Sequence, residues 1–315
     1  MKIIITGASG FVGSHLCERL VKLGHNVVGI AGKNRRDSRY LEKSKNFRLI
    51  KCDITNTKKI YKVFSGNRDA KAVFHLAALR SGDESSPMEW LKTNTEGTAS
   101  VLYAANKCGI KSIIYASTMN VYGKVRYLPV NEKHPAEPKN FYGISKLHGE
   151  SYCRLFHDKY NMSVVILRLG GVYGLGRNTG AFAVFSDKAI KNEDIGVDSG
   201  KLDTWEAVYI DDIVAAFLLS NEWIMKNKSP VFGIFNIGGK SPVVMQKLIG
   251  NIVKLTKSTS RVKFKKNRKS LNFIFDLRKA KKVLGCSPRS LKENLKSYIN
   301  AKLKYESDYK IRRLK

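Results

Sequence analysis

Lys2-Ile3-Ile4-Ile5-Thr6-Gly7-Ala8-Ser9-Gly10-Phe11-Val12-Gly13 decides the fold. The first five residues are an apolar run of strand length, and the glycines follow at once. An amphipathic pattern then continues to about Leu23 and ends at Gly24, which predicts a helix. Strand, glycine loop and helix form the context in which a glycine pattern reads as a phosphate site. Gly7 allows the tight turn, Gly10 lets backbone approach a pyrophosphate, and Gly13 lets the helix lie close to the sheet. The helix start, at Phe11 and Val12, supplies free N–H groups and positive potential. The stretch predicts a dinucleotide site.

Further strands follow at Asn26–Ile30, Phe47–Cys52, Ala72–His75, Lys111–Ala116 and Ser163–Leu169. Helical patterns lie between them, among them Trp90 to Lys107 and Tyr142 to Tyr160. Strands alternating with helices predict an α/β fold, a doubly wound parallel sheet. Its sites fall at the carboxyl ends of the strands. Those ends hold Asp53 and Ile54, then Leu76-Ala77-Ala78, then Ala116-Ser117-Thr118. Asp53 can accept from an adenine amino group, and the small residues let backbone approach the cofactor. The second strand ends at Ala31-Gly32, where a carboxylate would bind ribose hydroxyls and favour NAD. Lys33, Arg35 and Arg36 follow instead, which favours NADP, with NAD possible.

Tyr142-Gly143-Ile144-Ser145-Lys146 carries the candidate chemistry. Tyrosine and lysine four apart on a helix share one face. The lysine cation then stabilises tyrosinate and pulls the phenol down from its usual pKa of about 10. Such a tyrosine can take or return a proton near neutral pH. Thr118 supplies a hydroxyl for the same substrate oxygen. Alone, Tyr-x-x-x-Lys is as readily a surface lysine beside a half-buried tyrosine; the strands and glycine loop before it change the odds.

After Leu169 the pattern loosens, and Gly170, Gly171, Gly174, Gly176 and Gly180 mark loops. Trp205–Tyr209 and Val231–Ile237 read as strands. Asp211–Trp223, Val244–Thr256, Leu277–Leu284 and Leu291–Lys304 read as helices. The expected division is 1–169 for the dinucleotide and the catalytic residues, and 170–315 mainly for substrate. A strand or two of the second part is expected to rejoin the main sheet.

No apolar run approaches the roughly 18 residues that cross a bilayer. Five cysteines without Cys-x-x-Cys spacing read as reduced thiols, so a cytoplasmic protein is expected. The histidines show no metal-ligand spacing. The net charge of +31 raises nucleic-acid binding and attraction of an anionic substrate as explanations. The lysines are dispersed, without aromatic interleaving, which favours a solvated basic surface and makes nucleic acid and membrane unexpected partners.

Gly7 to Gly13, His75-Leu76-Ala77-Ala78, Asn94-Thr95-Glu96-Gly97-Thr98, Ser117-Thr118 with Val121-Tyr122-Gly123, and Tyr142 to Lys146 occur in order. Arg168 to Gly174 and Tyr209-Ile210-Asp211-Asp212 extend the set. Together they resemble the extended short-chain dehydrogenase/reductases, in particular the sugar-nucleotide epimerases and dehydratases, over nearly the whole chain. The resemblance implies a Rossmann-type fold and a smaller carboxyl-terminal substrate lobe. It makes Tyr142 the base, Lys146 its partner and a holder of the nicotinamide ribose, and Thr118 the group on the reacting oxygen. It also makes Asn94 and Arg80 cofactor contacts and implies a homodimer formed through the Trp90–Lys107 and Tyr142–Tyr160 helices. Their other apolar positions, such as Leu102, Leu147 and Phe156, must also serve the sheet.

Dehydratases of this group carry acids just after the threonine. Met119 and Asn120 stand there and cannot do acid/base work, which leaves oxidation and reduction at one carbon. The expected function is a nucleotide-sugar 4-epimerase working through a transient 4-keto intermediate. The alternatives are an NADPH-dependent reductase of a keto-sugar or other carbonyl compound, and a non-catalytic sensing or RNA-binding protein. Gly171 replaces the usual asparagine, and Trp205 stands where related enzymes place an arginine on the diphosphate. Gly171, Trp205, Arg278, Met119 and Asn120 are the substrate-side candidates.

Overall fold

β1 (Lys2–Thr6) alternates its side chains as a strand must: Ile3 and Ile5 enter one core, Ile4 the other. All three are fully buried, each contributing about 1.5–3 kcal/mol. A strand with two buried faces belongs inside a sheet covered by helices on both sides. The computed structural model describes residues 1–32, 44–80, 85–264 and 272–313, with side chains to 305.

The sheet contains β1, β2 (Asn26–Ala31), β3 (Phe47–Lys51), β4 (Ala72–His75), β5 (Ser112–Thr118), β6 (Ser163–Leu169) and β7 (Phe232–Ile237). Its order is β7-β6-β5-β4-β1-β2-β3, with every pair parallel. The winding reverses between β1 and β4, so their carboxyl ends flank the crevice where such sheets bind ligands. α1 (Phe11–Lys22) covers one face. α2 (Thr57–Ser65), α3 (Gly97–Lys107) and α4 (Phe141–Tyr160) cover the other.

β7 comes from the second half and pairs with β6 from Phe232↔Val164 to Ile237↔Leu169. The rest of that half builds a separate core around Tyr173, Phe182, Leu248 and Tyr298. Two-stranded pairs form it, 171–173 with 207–209 and 204–205 with 243–244. α5 (Ala181–Ile190), α7 (Met245–Thr256) and α9 (Leu291–Arg313) complete it. α6 (Ile210–Lys226) joins the α1 face, and α8 (Arg278–Leu284) packs against α6 and β7.

Gly171, expected in a loop, opens the strand 171–173, which pairs with 207–209, and two further elements depart from the sequence expectation. The helix expected from Trp90 to Lys107 runs as Pro87–Trp90, a π-helical stretch Leu91–Glu96, and α3. The wider turn carries Asn94, whose amide binds the Leu79 backbone on both sides and donates to Ser145 Oγ of α4. The strand expected over Trp205–Tyr209 breaks at Glu206. Glu206 is buried and accepts from the N–H groups of Gly239 and Phe275.

Candidate active site

The loop between β1 and α1 takes the shape its glycines permit. Gly7 sits at φ +73°, and a Cβ there would lie 2.7 Å from the nitrogen of Ala77. A Cβ on Gly13 would meet the Gly7 carbonyl oxygen at 2.1 Å. Gly10 caps α1 with no side-chain bond, so the first turn, with Phe11 and Val12, keeps backbone N–H groups for an anion. Leu76, Ala77 and Ala78 line the opposite rim, half-buried. A cradle without side chains, at a helix N-terminus, fits the pyrophosphate of a dinucleotide.

β5 delivers Ser117 and Thr118, both buried, and Thr118 Oγ1 accepts from the N–H of Asn120 at 3.3 Å. Met119 and Asn120 form one turn of 3-10 helix and are half-buried. α4 starts against that turn. Asn140 caps it by accepting from the N–H of Gly143 at 2.7 Å. Gly143 permits the approach, since a Cβ there would lie 2.5 Å from the Asn120 carbonyl oxygen. Tyr142, half-buried, lies in the first turn of α4, the helix that packs on this 3-10 turn.

Lys146 lies one turn further along α4, 2% exposed, its Nζ 4.0 Å from the centre of the Tyr115 ring. Burial pushes its ammonium down to about 7. Glu150 follows at the next turn, also buried. Arg168 of β6 donates to Glu150 through Nε at 3.0 Å and Nη2 at 2.7 Å, and Ser117 donates its hydroxyl to the same carboxylate. Arg168 also stacks over Tyr122, whose hydroxyl donates to Asn236 at 2.6 Å. The sequence reading missed Glu150. The signal was a carboxylate on the buried face of a helix, in phase with Tyr142 and Lys146.

The other sequence candidates fall in different places. Asp53 is exposed, its Oδ1 accepting from Thr55. Ile54 is buried, its side chain filling the space a Cβ on Gly97 would take. Ala116 packs on the α1-side core, and Arg80 is exposed beside the Leu76–Ala78 rim. Lys33, Arg35 and Arg36 lie outside the described residues.

In the second lobe a cleft is lined by Gly171, Tyr173, Arg177, Phe182, Trp205 and Tyr298, among others. Tyr173 stacks on Phe182 at 3.7 Å, and Phe182 meets Trp205 edge-on at 6.3 Å. Gly171 and Trp205 thus share one wall. Arg278 is not brought there; it pairs with Asp276 at 2.6 Å on an exposed surface. Tyr173, Arg177, Phe182 and Tyr298 were not singled out from the sequence, because their convergence depends on α5 and α9 packing together.

Residues 3–238 match the NAD dependent epimerase/dehydratase family. The chain belongs to this family. It is similar to the UDP-glucose 4-epimerase of Thermotoga maritima, solved with UDP-glucose: TM-score 0.86 and 29% identity, over 97% of this chain and 99% of that one. It is also similar to the UDP-glucuronic acid 4-epimerase of Bacillus cereus, solved with UDP-glucuronic acid and NAD. That match has a TM-score of 0.81 and 29% identity, over 95% of this chain and 98% of that one. A UDP-glucuronate 4-epimerase of Thermodesulfobacterium geofontis is 28% identical over 94% of each chain. The family assignment makes the protein an enzyme of the extended short-chain dehydrogenase/reductase type. No helix among the described residues is long and apolar enough to cross a membrane.

Proposed function

We propose that this enzyme interconverts C4 epimers of a nucleotide sugar. The observation that carries the reading is the packing of α4 on the turn that follows β5: Thr118 ends that strand, Tyr142 and Lys146 lie one turn apart on α4, and Met119 and Asn120 occupy the turn where elimination would need acids. Thr118 holds the C4 oxygen, and Tyr142 takes its proton and later returns it. Lys146 stabilises the tyrosinate with its ammonium. A nicotinamide dinucleotide bound along Gly7, Gly10, Phe11, Val12 and Gly13 supplies the two-electron acceptor and donor. The Trp205 cleft, with its aromatic wall, is the part of the second lobe assigned to the nucleotide. Residues 1–169 then serve cofactor and chemistry, and 170–315 mainly substrate.

Purified enzyme incubated with a panel of nucleotide sugars, with chromatographic analysis, tests the reading. One C4 pair is expected to reach equilibrium with no net change in nicotinamide absorbance. Conversion of no member of the panel overturns it. Consumption of NADPH in step with product establishes the reductase instead.

NADP is the proposed dinucleotide, because β2 ends at Ala31 without a carboxylate and Lys33, Arg35 and Arg36 follow. The Bacillus cereus relative was solved with NAD, so calorimetry with both cofactors decides. Replacing Arg35 and Arg36 by alanine should weaken NADP alone, by tenfold or more. A homodimer through α3 and α4 is also proposed. Leu102 faces the core and Leu147 and Phe156 are half-buried, whereas Tyr103, Ile144, Tyr152 and Leu155 are exposed on these helices. Light scattering at micromolar concentration should give twice the chain mass.

A further inference from the structure

We propose that Glu150 is a positioning residue: it ties the strand end that carries Thr118 to the helix that carries Tyr142 and Lys146, and it sets a negative charge opposite the Lys146 ammonium. The inference rests on the catalytic reading of those three residues.

The geometry is a knot of three elements. Glu150 belongs to α4, one turn beyond Lys146 and two beyond Tyr142, so all three share a face. Its carboxylate accepts from Ser117 of β5, the residue before Thr118, and from two nitrogens of Arg168 of β6. Both members of the ion pair are 5% exposed. A buried pair of this kind contributes little net stability against an apolar replacement, since desolvation offsets the attraction. What it does provide is register, because a fork-to-fork contact tolerates little sliding of α4 along β5 and β6. Gly149 closes the same contact: a Cβ there would lie 2.1 Å from the hydroxyl oxygen of Tyr115.

The electrostatic part follows from what surrounds Lys146. Acting on it are Cys153 and Glu150 from α4, Tyr115 from β5 and His75 from β4, with Tyr142 one turn earlier on the same helix face. Burial holds His75 neutral at about 3. Burial likewise raises the Cys153 thiol and the Tyr115 phenol, so both stay protonated. The ammonium itself is disfavoured by burial, leaving Glu150 as the charge that opposes its loss. Arg168 grips Glu150 by two nitrogens and keeps the carboxylate in place for that task.

The test follows Lys146 by NMR in full-length protein labelled with 13C at lysine Cε, the signal assigned by its disappearance in Lys146→Arg. Glu150→Gln is expected to lower the Lys146 midpoint by about one pH unit. The alkaline limb of kcat/KM should move down by the same amount. Glu150→Asp keeps the charge and shortens the reach, so it should leave the midpoint in place and reduce kcat about tenfold or more without raising KM. An unchanged midpoint in folded Glu150→Gln overturns the charge role, and wild-type kcat in Glu150→Asp overturns the positioning role. Should Glu150→Gln fail to fold with Arg168 left unpaired, the double variant Glu150→Gln with Arg168→Gln replaces it. Its midpoint must then fall below that of Glu150→Asp, and equality overturns the proposal. The titration needs no substrate, so failure to find a nucleotide-sugar substrate would remove the catalytic reading and still leave this measurement decisive.

Discussion

Behind Thr118 and Lys146 the chain buries an ion pair, a saturated asparagine and a lysine, whereas the wall around Trp205 is made of aromatic rings and glycines. On the first side Asn94, Ser117, Glu150 and Arg168 each hold a partner on another element. On the second, Arg177 carries the formal charge among the lining residues, and Tyr173, Phe182, Trp205 and Tyr298 supply the surface. Under the proposed function the difference separates two tasks. Proton transfer needs charges fixed before substrate arrives, because reorganising them during reaction would raise the barrier. Holding a nucleotide while its sugar turns over needs a surface that grips by stacking and tolerates rotation.

The largest test of this division is Tyr142→Phe. It keeps the ring and removes the proton acceptor, so kcat should fall by about two to four orders of magnitude. Cofactor binding by calorimetry should stay close to wild type. Near wild-type turnover would place the chemistry elsewhere. A pH profile is the next lever. Burial lowers the Lys146 ammonium to about 7, so the cation is present below that pH and lost above it. kcat/KM is therefore expected to decline on the alkaline side with a midpoint near 7, by tenfold per unit well above it. A flat profile to pH 9 would mean that the lysine charge is not used.

Trp205→Ala addresses the opposite wall. Loss of one stacking surface should raise KM about tenfold and leave kcat nearly unchanged, read by steady-state kinetics. A fall in kcat with constant KM would put Trp205 on the chemical side and erase the contrast. The smallest effect is on stability. Lys146 titrates near 10.5 unfolded and at about 7 folded, so between these values the unfolded chain binds more protons and stability rises with pH. Below about 7 the cost of the buried cation is fully present. Lys146→Met should thus abolish turnover yet stabilise the fold at pH 6, by on the order of 1 kcal/mol or more, measured by thermal melting. A lower Tm than wild type would show that the lysine also holds the fold together.

Local order carries its own reading in this chain. Gly7, Gly10 and Gly13 follow an apolar strand within a dozen residues, so the turn and the open helix start are set by nearest neighbours. Tyr142 and Lys146 share a face because a helix turns every 3.6 residues, and Ser117 and Thr118 follow directly on the apolar run that ends at Ala116. The seven-stranded order, by contrast, needed β7, which arrives more than sixty residues after its partner β6. Glu150 became a functional candidate only when Ser117 and Arg168, on two other elements, were brought to its carboxylate. The π turn at Asn94 and the break at Glu206 also belong to the tertiary structure, since each follows from a side chain satisfying backbone groups far away in sequence. Helix and strand periods are properties of consecutive residues. Buried polar groups choose their partners from whatever the fold brings within 3 Å, and that choice is made by packing.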